Sequence, residues 1–161
     1  MTSRQVFYSF HFDNDVMRVQ QIRNIGVIED NKPVSANTWE EVKRKGDKSI
    51  ENWIDKNMKY RSCVVVLVGS ETANRKWVEY EIKKAWKEGK GLVGIYIHNL
   101  RCPRNGTSRM GKNPFSQFTF RKKDLSDIVK CYNPSSSDAY NDIKSNLGKW
   151  IEEAILIRNN A

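Results

Sequence analysis

Short apolar runs alternate along this chain with segments in which apolar residues recur at helical spacing. The runs Cys63–Val68 and 92–97 are rich in β-branched residues, which is typical of strands buried on both faces of a parallel sheet. Residues 5–10 predict a first strand, and residues 34–39 fit a short second strand less well. The pattern of residues 128–132 leaves a strand or a helix open.

Apolar residues at spacings of three and four predict four helices. The first extends from Val16 to about Asn24, the second is Asp47–Met58, the third carries Trp77 to Trp86, and the last carries Tyr140 to Ile155. Residues 101–118 have no apolar period and predict a surface excursion with one aromatic anchor, Phe115. Strands that alternate with helices predict an α/β fold. We expect a flavodoxin-like three-layer sandwich with a mostly parallel central sheet, formed by residues 1–161 as a single domain.

Composition narrows the class of protein. A chain of 161 residues with 39% hydrophobic and 29% charged residues is long and apolar enough to bury one core. Its apolar runs are strand-sized and it begins without a signal-peptide pattern, so we expect a cytoplasmic protein with no membrane partner. Cys63, Cys102 and Cys131 are far apart and form no CxxC pair, which predicts reduced thiols rather than a metal site.

Charge and missing motifs exclude several functions. The net charge of +9 attracts anions in general, but no zinc-finger, RNP-like or basic-zipper pattern accompanies it, so we expect no nucleic-acid partner. Walker A, GxGxxG and GxSxG motifs are absent as well. A phosphoacceptor receiver domain fails because Gly69 and Ser70 stand where an aspartate is required. His11 and His98 form no ligand pair in sequence, so no metal is expected.

The most informative segment begins the third helix. Trp77 and Glu81 are four residues apart, so we expect them to be neighbours at the edge of the helix face that packs on the sheet. This places them near the carboxyl end of a strand, where α/β sheets bind ligands. A carboxylate there can stabilise the oxocarbenium-like transition state of glycosidic-bond cleavage at a ribose. The nicotinamide of NAD is already cationic and leaves without prior protonation. An edge tryptophan and a solvated glutamate fit the same positions, and Glu79 is a rival carboxylate on another side of the helix.

Several ordered motifs resemble those of a known family. Residues 7–11, Phe-Tyr-Ser-Phe-His, followed by an acidic turn, are similar to the first box of TIR domains. Residues 69–72, Gly-Ser-Glu-Thr, followed by Trp77-Val78-x-x-Glu81, resemble the third strand and catalytic helix of NAD-consuming TIR domains. With residues 37–40, 94–97 and 111–115, the set resembles the bacterial TIR-like family that includes the TIR protein of Thoeris anti-phage systems.

The resemblance implies an anti-phage enzyme of the NAD glycohydrolase or ADP-ribosyl cyclase type, with NAD as its substrate and no bound cofactor. Such an enzyme cleaves NAD at the nicotinamide–ribose bond after a phage component triggers it. The ADP-ribose then becomes a cyclic or conjugated signal that activates a partner effector. The resemblance assigns catalysis to Glu81, NAD binding to Ser9, Phe10, His11 and Trp77, and to Trp39 a place in a loop that completes a neighbour's site in TIR assemblies. A homo-oligomer is therefore compatible with the family.

Two alternatives stay open. One is a non-catalytic TIR-like interaction module, and the other is a nucleoside- or nucleotide-modifying transferase with a glutamate at an N-glycosidic bond. A catalytic site should place Glu81 in a cleft with Phe10 and Trp77 and raise the pKa of its carboxyl by desolvation. An interaction module could leave Glu81 in bulk water. The identity of the product also stays open, because His11 and Phe12 precede Asp13 and no glycine-rich BB-type loop is evident.

Overall fold

The computed structural model of this chain describes residues 5–23, 41–102 and 106–161. Their main elements in chain order are β1 (Val6–Ser9), α1 (Phe12–Arg23), α2 (Asp47–Met58), β2 (Cys63–Val68), α3 (Lys76–Lys87), β3 (Gly91–Tyr96), β4 (Thr119–Phe120), β5 (Lys123–Asp124), β6 (Cys131–Tyr132) and α4 (Ala139–Asn159). Single 3₁₀ turns at Pro114–Gln117 and Leu125–Asp127 flank the β4–β5 pair. No helix in the described part of the chain combines the length and apolar character needed to cross a membrane.

Four strands form a parallel sheet in the order β1-β2-β3-β6. Every residue of β2 is fully buried, as its β-branched sequence predicts for a central strand. Ser9 is paired with Val66, and Val66 is paired in turn with Gly94. Because all four strands are parallel, their carboxyl ends meet at the same edge of the sheet. The prediction of an α/β, flavodoxin-like fold with a mostly parallel central sheet is confirmed.

Helices cover the sheet on both faces and divide the core into two clusters. On one face, α1 and α4 pack against the side chains of Val6 and Tyr8. On the other face, α2 and α3 pack against Phe7 and the alternate residues of β2. This division follows from the strand period of two, which sends successive β1 side chains to opposite faces. It decides which helix each residue near the end of β1 can reach.

Most of the predicted elements are present. The second predicted helix has the observed bounds of α2, and the strand predicted at 92–97 is β3, shifted by one residue. Phe115 anchors the excursion after β3, as predicted, and its side chain is fully buried in the α2–α3 cluster. The antiparallel β4–β5 pair was not predicted. The strand predicted at 34–39 lies outside the described residues.

Candidate active site

Helix α3 directs Glu81 toward the sheet. Val78, Ile82 and Ala85 form its buried stripe, as their spacing predicts. Glu81 is three residues after Val78 and four before Ala85, so it belongs to the same stripe and is only 6% exposed. The expectation that Glu81 lies at the edge of this face was therefore wrong, because the helical period places its carboxyl beneath the helix.

Ser9 meets Glu81 from the strand below. It is the last residue of β1, fully buried, and its side chain shares a face with that of Phe7. Its hydroxyl donates a hydrogen bond of 2.7 Å to Oε1 of Glu81. These residues are 72 positions apart in sequence. A strand end and a helix thus combine to hold one carboxyl in a fixed place.

The surroundings of Glu81 favour its neutral form. Burial raises the pKa of the Glu81 carboxyl to about 8, and the hydrogen bond from Ser9 opposes part of that rise. Within the described residues, Ser9 is the one hydrogen-bond partner of this carboxyl. A buried carboxyl with a single neutral donor gains or loses its proton near physiological pH. The expected rise in the pKa of Glu81 is confirmed. Its side chain is buried and does not lie in bulk water, as it could in an interaction module.

A carboxyl of this kind suits chemistry at a centre that becomes positively charged. As a carboxylate in a site of low polarity, it attracts a nearby cation more strongly than a solvated glutamate does. Its Oε2 atom is the one that Ser9 leaves available to a hydroxyl or a cationic carbon. The arrangement therefore fits stabilisation of an oxocarbenium-like transition state.

Comparison with known proteins places this geometry in a family. Residues 7–102, which include both Ser9 and Glu81, match the sequence profile described as Thoeris protein ThsB, TIR-like domain. The chain belongs to the Thoeris ThsB TIR-like family. A curated relative from Bacillus cereus (strain MSX-D12), named "Putative cyclic ADP-D-ribose synthase ThsB1", is 32% identical over 124 residues. The match covers 74% of this chain and 65% of the relative, so the chain spans less than two thirds of that protein's length.

The other predicted site residues of this Thoeris TIR-like chain lie in different surroundings. Phe10 packs against the α1–α4 cluster, on the opposite face of the sheet from Ser9, and so does not join the Ser9–Glu81 pair. The expected cleft that joins Phe10, Trp77 and Glu81 stays a prediction. His11 is half-buried directly before α1. Trp39 lies outside the described residues.

Trp77 lies in the first turn of α3, one turn before Glu81, and is half-buried against the α2–α3 cluster. Its ring lies edge-on to Tyr80, with centroids 5.7 Å apart, and the Lys76 ammonium is 4.9 Å from its centroid. These contacts hold the Trp77 ring in place beside the first turn of α3. The assignment of NAD binding to Phe10, His11, Trp39 and Trp77 stays a prediction.

Sequence reasoning missed two polar features near the strand ends. Thr72 is fully buried, where its hydroxyl accepts from the Gly69 amide at 2.8 Å and so shapes the loop before α3. Arg75, Arg109 and Lys112 line one cavity beside that loop, although the last two are more than thirty residues away in sequence. No short-range sequence pattern predicts such a contact between two loops. Among the described residues, no three His, Cys, Asp or Glu side chains are grouped to hold a metal ion.

Proposed function

We propose that this chain is an NAD-processing TIR enzyme of phage defence, of the glycohydrolase or ADP-ribosyl cyclase type. It cleaves NAD at the nicotinamide–ribose bond and converts the ADP-ribose into a cyclic or conjugated signal that activates a partner effector. The observation that carries this proposal is the buried hydrogen bond between Ser9 and Glu81 at the carboxyl end of β1. The name of the relative, a cyclic ADP-ribose synthase, supports the same class of reaction.

The mechanism begins with a change of charge on Glu81. With a pKa of about 8, its carboxyl is largely protonated at neutral pH in the free protein. The nicotinamide ring of NAD carries a positive charge, and a nearby positive charge lowers the pKa of a carboxyl. Binding of NAD therefore favours release of the proton and places a carboxylate beside the scissile bond.

Bond cleavage then needs little further proton transfer. The C–N bond electrons leave with nicotinamide, which becomes neutral, while the positive charge passes to the ribose. The Glu81 carboxylate stabilises that charge and orients a ribose hydroxyl, and Ser9 holds Oε1 in place. Attack by an acceptor atom of ADP-ribose itself, of water or of another molecule completes the reaction and decides the product.

The cellular setting is part of the proposal. We place the enzyme in the cytoplasm, where NAD is abundant and its thiols stay reduced, with a phage component as its trigger. Assembly into a homo-oligomer would allow the loop that contains Trp39 to complete a neighbouring site. The effector is reached through the diffusible nucleotide and not through direct contact.

The first test compares nucleotide pools in infected and uninfected cells that express the chain or its Glu81→Gln variant. We expect NAD loss and a new ADP-ribose-derived species only with Glu81 and infection. Glutamine keeps the volume of glutamate and can still accept from Ser9, so the fold should persist while turnover falls on the order of a thousandfold.

Glu79→Gln is the matched control, because Glu79 is a half-buried carboxylate of the same helix two residues away. We expect its turnover to stay close to that of the unaltered chain. Equal losses in the two variants, each shown to be folded by circular dichroism, would remove the assignment of a single catalytic glutamate.

A further inference from the structure

The polar cavity beside the β2–α3 loop lies next to the carboxyl end of β2. Its volume is about 460 Å³, within the range of small-molecule sites. Residues of the loop that joins β2 to α3 form one wall, and residues 109–112 form the other. Ligands of open α/β sheets bind at this edge, so its position alone makes the cavity a candidate site.

The side chains that line the cavity carry a net positive charge, which favours an anionic ligand. Arg75, Arg109 and Lys112 face a single lining carboxylate, that of Glu71. Glu71 already forms a 3.5 Å ion pair with Arg75, and its carbonyl accepts from Nε of the same arginine at 3.0 Å. Within the described residues, neither Arg109 nor Lys112 takes part in an ion pair. The cavity therefore offers two uncompensated cations to an anion.

Both walls are held in place before any ligand arrives. Gly111 lies so close to the Gly69 carbonyl that a side chain there would collide with it. The Gln117 amide donates to the Asn74 side chain, so the 3₁₀ turn that follows the second wall is joined to the first wall. Fully buried Phe115 anchors the wall that contains Lys112. A site formed in advance spends little binding energy on ordering its loops.

We infer that this basic cavity binds a diphosphate group. Arginine guanidinium groups match phosphate oxygens with two parallel hydrogen bonds, and lysine adds a compact charge. Arg75 directly precedes α3 and stands six residues before Glu81, which corresponds to about 9 Å along the helix axis. In NAD, one ribose separates the diphosphate from the scissile bond. The nearest source of the group is therefore the substrate itself, an assignment that rests on the proposed function, and a separate phosphate ligand would use the same cations.

The test measures binding of inorganic pyrophosphate to the full chain by calorimetry. In the double variant Arg109→Gln/Lys112→Gln, we expect the dissociation constant to rise about tenfold or more, because two charge-assisted contacts are lost. Lys144→Gln/Lys149→Gln removes the same charge from two exposed positions of α4 and should change it less than about twofold. Equal effects of the two double variants would overturn the inference.

Competition then identifies the source of the diphosphate. NAD is titrated into the Glu81→Gln chain, which does not turn it over, with and without saturating pyrophosphate. Competition assigns the cavity to the substrate, and simultaneous binding assigns it to a separate phosphate ligand. A chain that binds pyrophosphate through these cations but never consumes NAD would refute the proposed enzymatic function and support the proposed diphosphate site. If the chain turns over NAD but the Arg109→Gln/Lys112→Gln variant binds pyrophosphate as tightly as the unaltered chain, the proposed enzyme is supported and the inference about the cavity is overturned.

Discussion

Arg18 and Glu81 are buried on opposite faces of the sheet, and their surroundings differ in one decisive respect. Arg18 is 4% exposed on the α1 side, and Glu81 is 6% exposed on the α3 side. The Arg18 guanidinium donates to the backbone carbonyls of Leu100 and Gly106, each at 2.9 Å. In the part of the chain that the structure describes, Glu81 has one hydrogen-bond partner, the neutral Ser9 hydroxyl. The Arg18 guanidinium is therefore bound by backbone carbonyls, whereas the Glu81 carboxyl has no charged partner among the described residues.

The difference separates a structural charge from a reactive one. Arginine stays charged in proteins, so its burial requires compensating acceptors, and here they are supplied by the connection that follows β3. The position of that connection depends on Arg18 in return. Glutamate can avoid a buried charge by keeping its proton, and burial raises its pKa to about 8. A group poised between two states at neutral pH can respond to a cationic ligand, which a permanently compensated charge cannot do.

The largest effect on stability should come from the structural charge. Arg18→Met should lower the free energy of unfolding by about 2–4 kcal/mol, because it removes the hydrogen bonds to the Leu100 and Gly106 carbonyls and leaves the Leu100 oxygen without its guanidinium donor. Urea denaturation followed by tryptophan fluorescence measures this loss. Arg44→Met is the control, because Arg44 is exposed, and it should change stability by less than about 0.5 kcal/mol. If both variants lose the same amount, the contrast between Arg18 and Glu81 does not hold.

Substitution of Glu81 should have the opposite effect on the free energy of unfolding, which should rise. The pKa of Glu81 is higher in the folded chain than its ordinary value of 4.5, so the folded chain holds a proton that the unfolded chain releases as the pH rises. Stability contributed by the neutral carboxyl is complete below about pH 4.5 and is lost as the pH rises to about 8. Glu81→Gln should avoid this loss.

Relative to the unaltered chain, Glu81→Gln should therefore gain stability from pH 5 to pH 8, by up to a few kcal/mol. Urea midpoints at the two pH values measure the gain. Glu79→Gln, a half-buried carboxyl of the same helix, is the control. A Glu81→Gln chain whose advantage stays constant from pH 5 to pH 8 would mean that Glu81 keeps an ordinary pKa.

The sequence was sufficient for features that depend on local periodicity. The bounds of α2, the buried strand β2 and the packing stripe of α3 all follow from neighbours within eight residues. The β4–β5 pair escaped because strands of two residues are too short to show a period. The buried role of Arg18 escaped because its acceptors are carbonyls more than eighty residues away, and a backbone acceptor leaves no mark in sequence.

The candidate site shows the same limit. Helical spacing singled out Glu81, and the resemblance assigned its catalytic role. Its burial could have been predicted because it occupies a position of the Val78–Ala85 stripe. Strand alternation could also have separated Ser9 from Phe10. The hydrogen bond between Ser9 and Glu81 needed the register of β1 on β2, and the basic cavity needed two loops to meet. Neither contact follows from short-range patterns.

The smallest effect, and the sharpest test of the contrast, concerns Ser9. Its hydrogen bond lowers the pKa of Glu81 against the larger effect of burial, so Ser9→Ala should raise that pKa further. At pH 7 fewer molecules would then carry the carboxylate, and kcat/KM for NAD should fall about fivefold, as expected for one neutral hydrogen bond. At pH 9.5 the loss should be smaller, because a larger share of the carboxyl is ionised there. A profile of kcat/KM against pH reports the pKa of the free enzyme and shows this shift directly. An equal loss at both pH values would show that Ser9 acts through packing or substrate contact and not through the charge of Glu81.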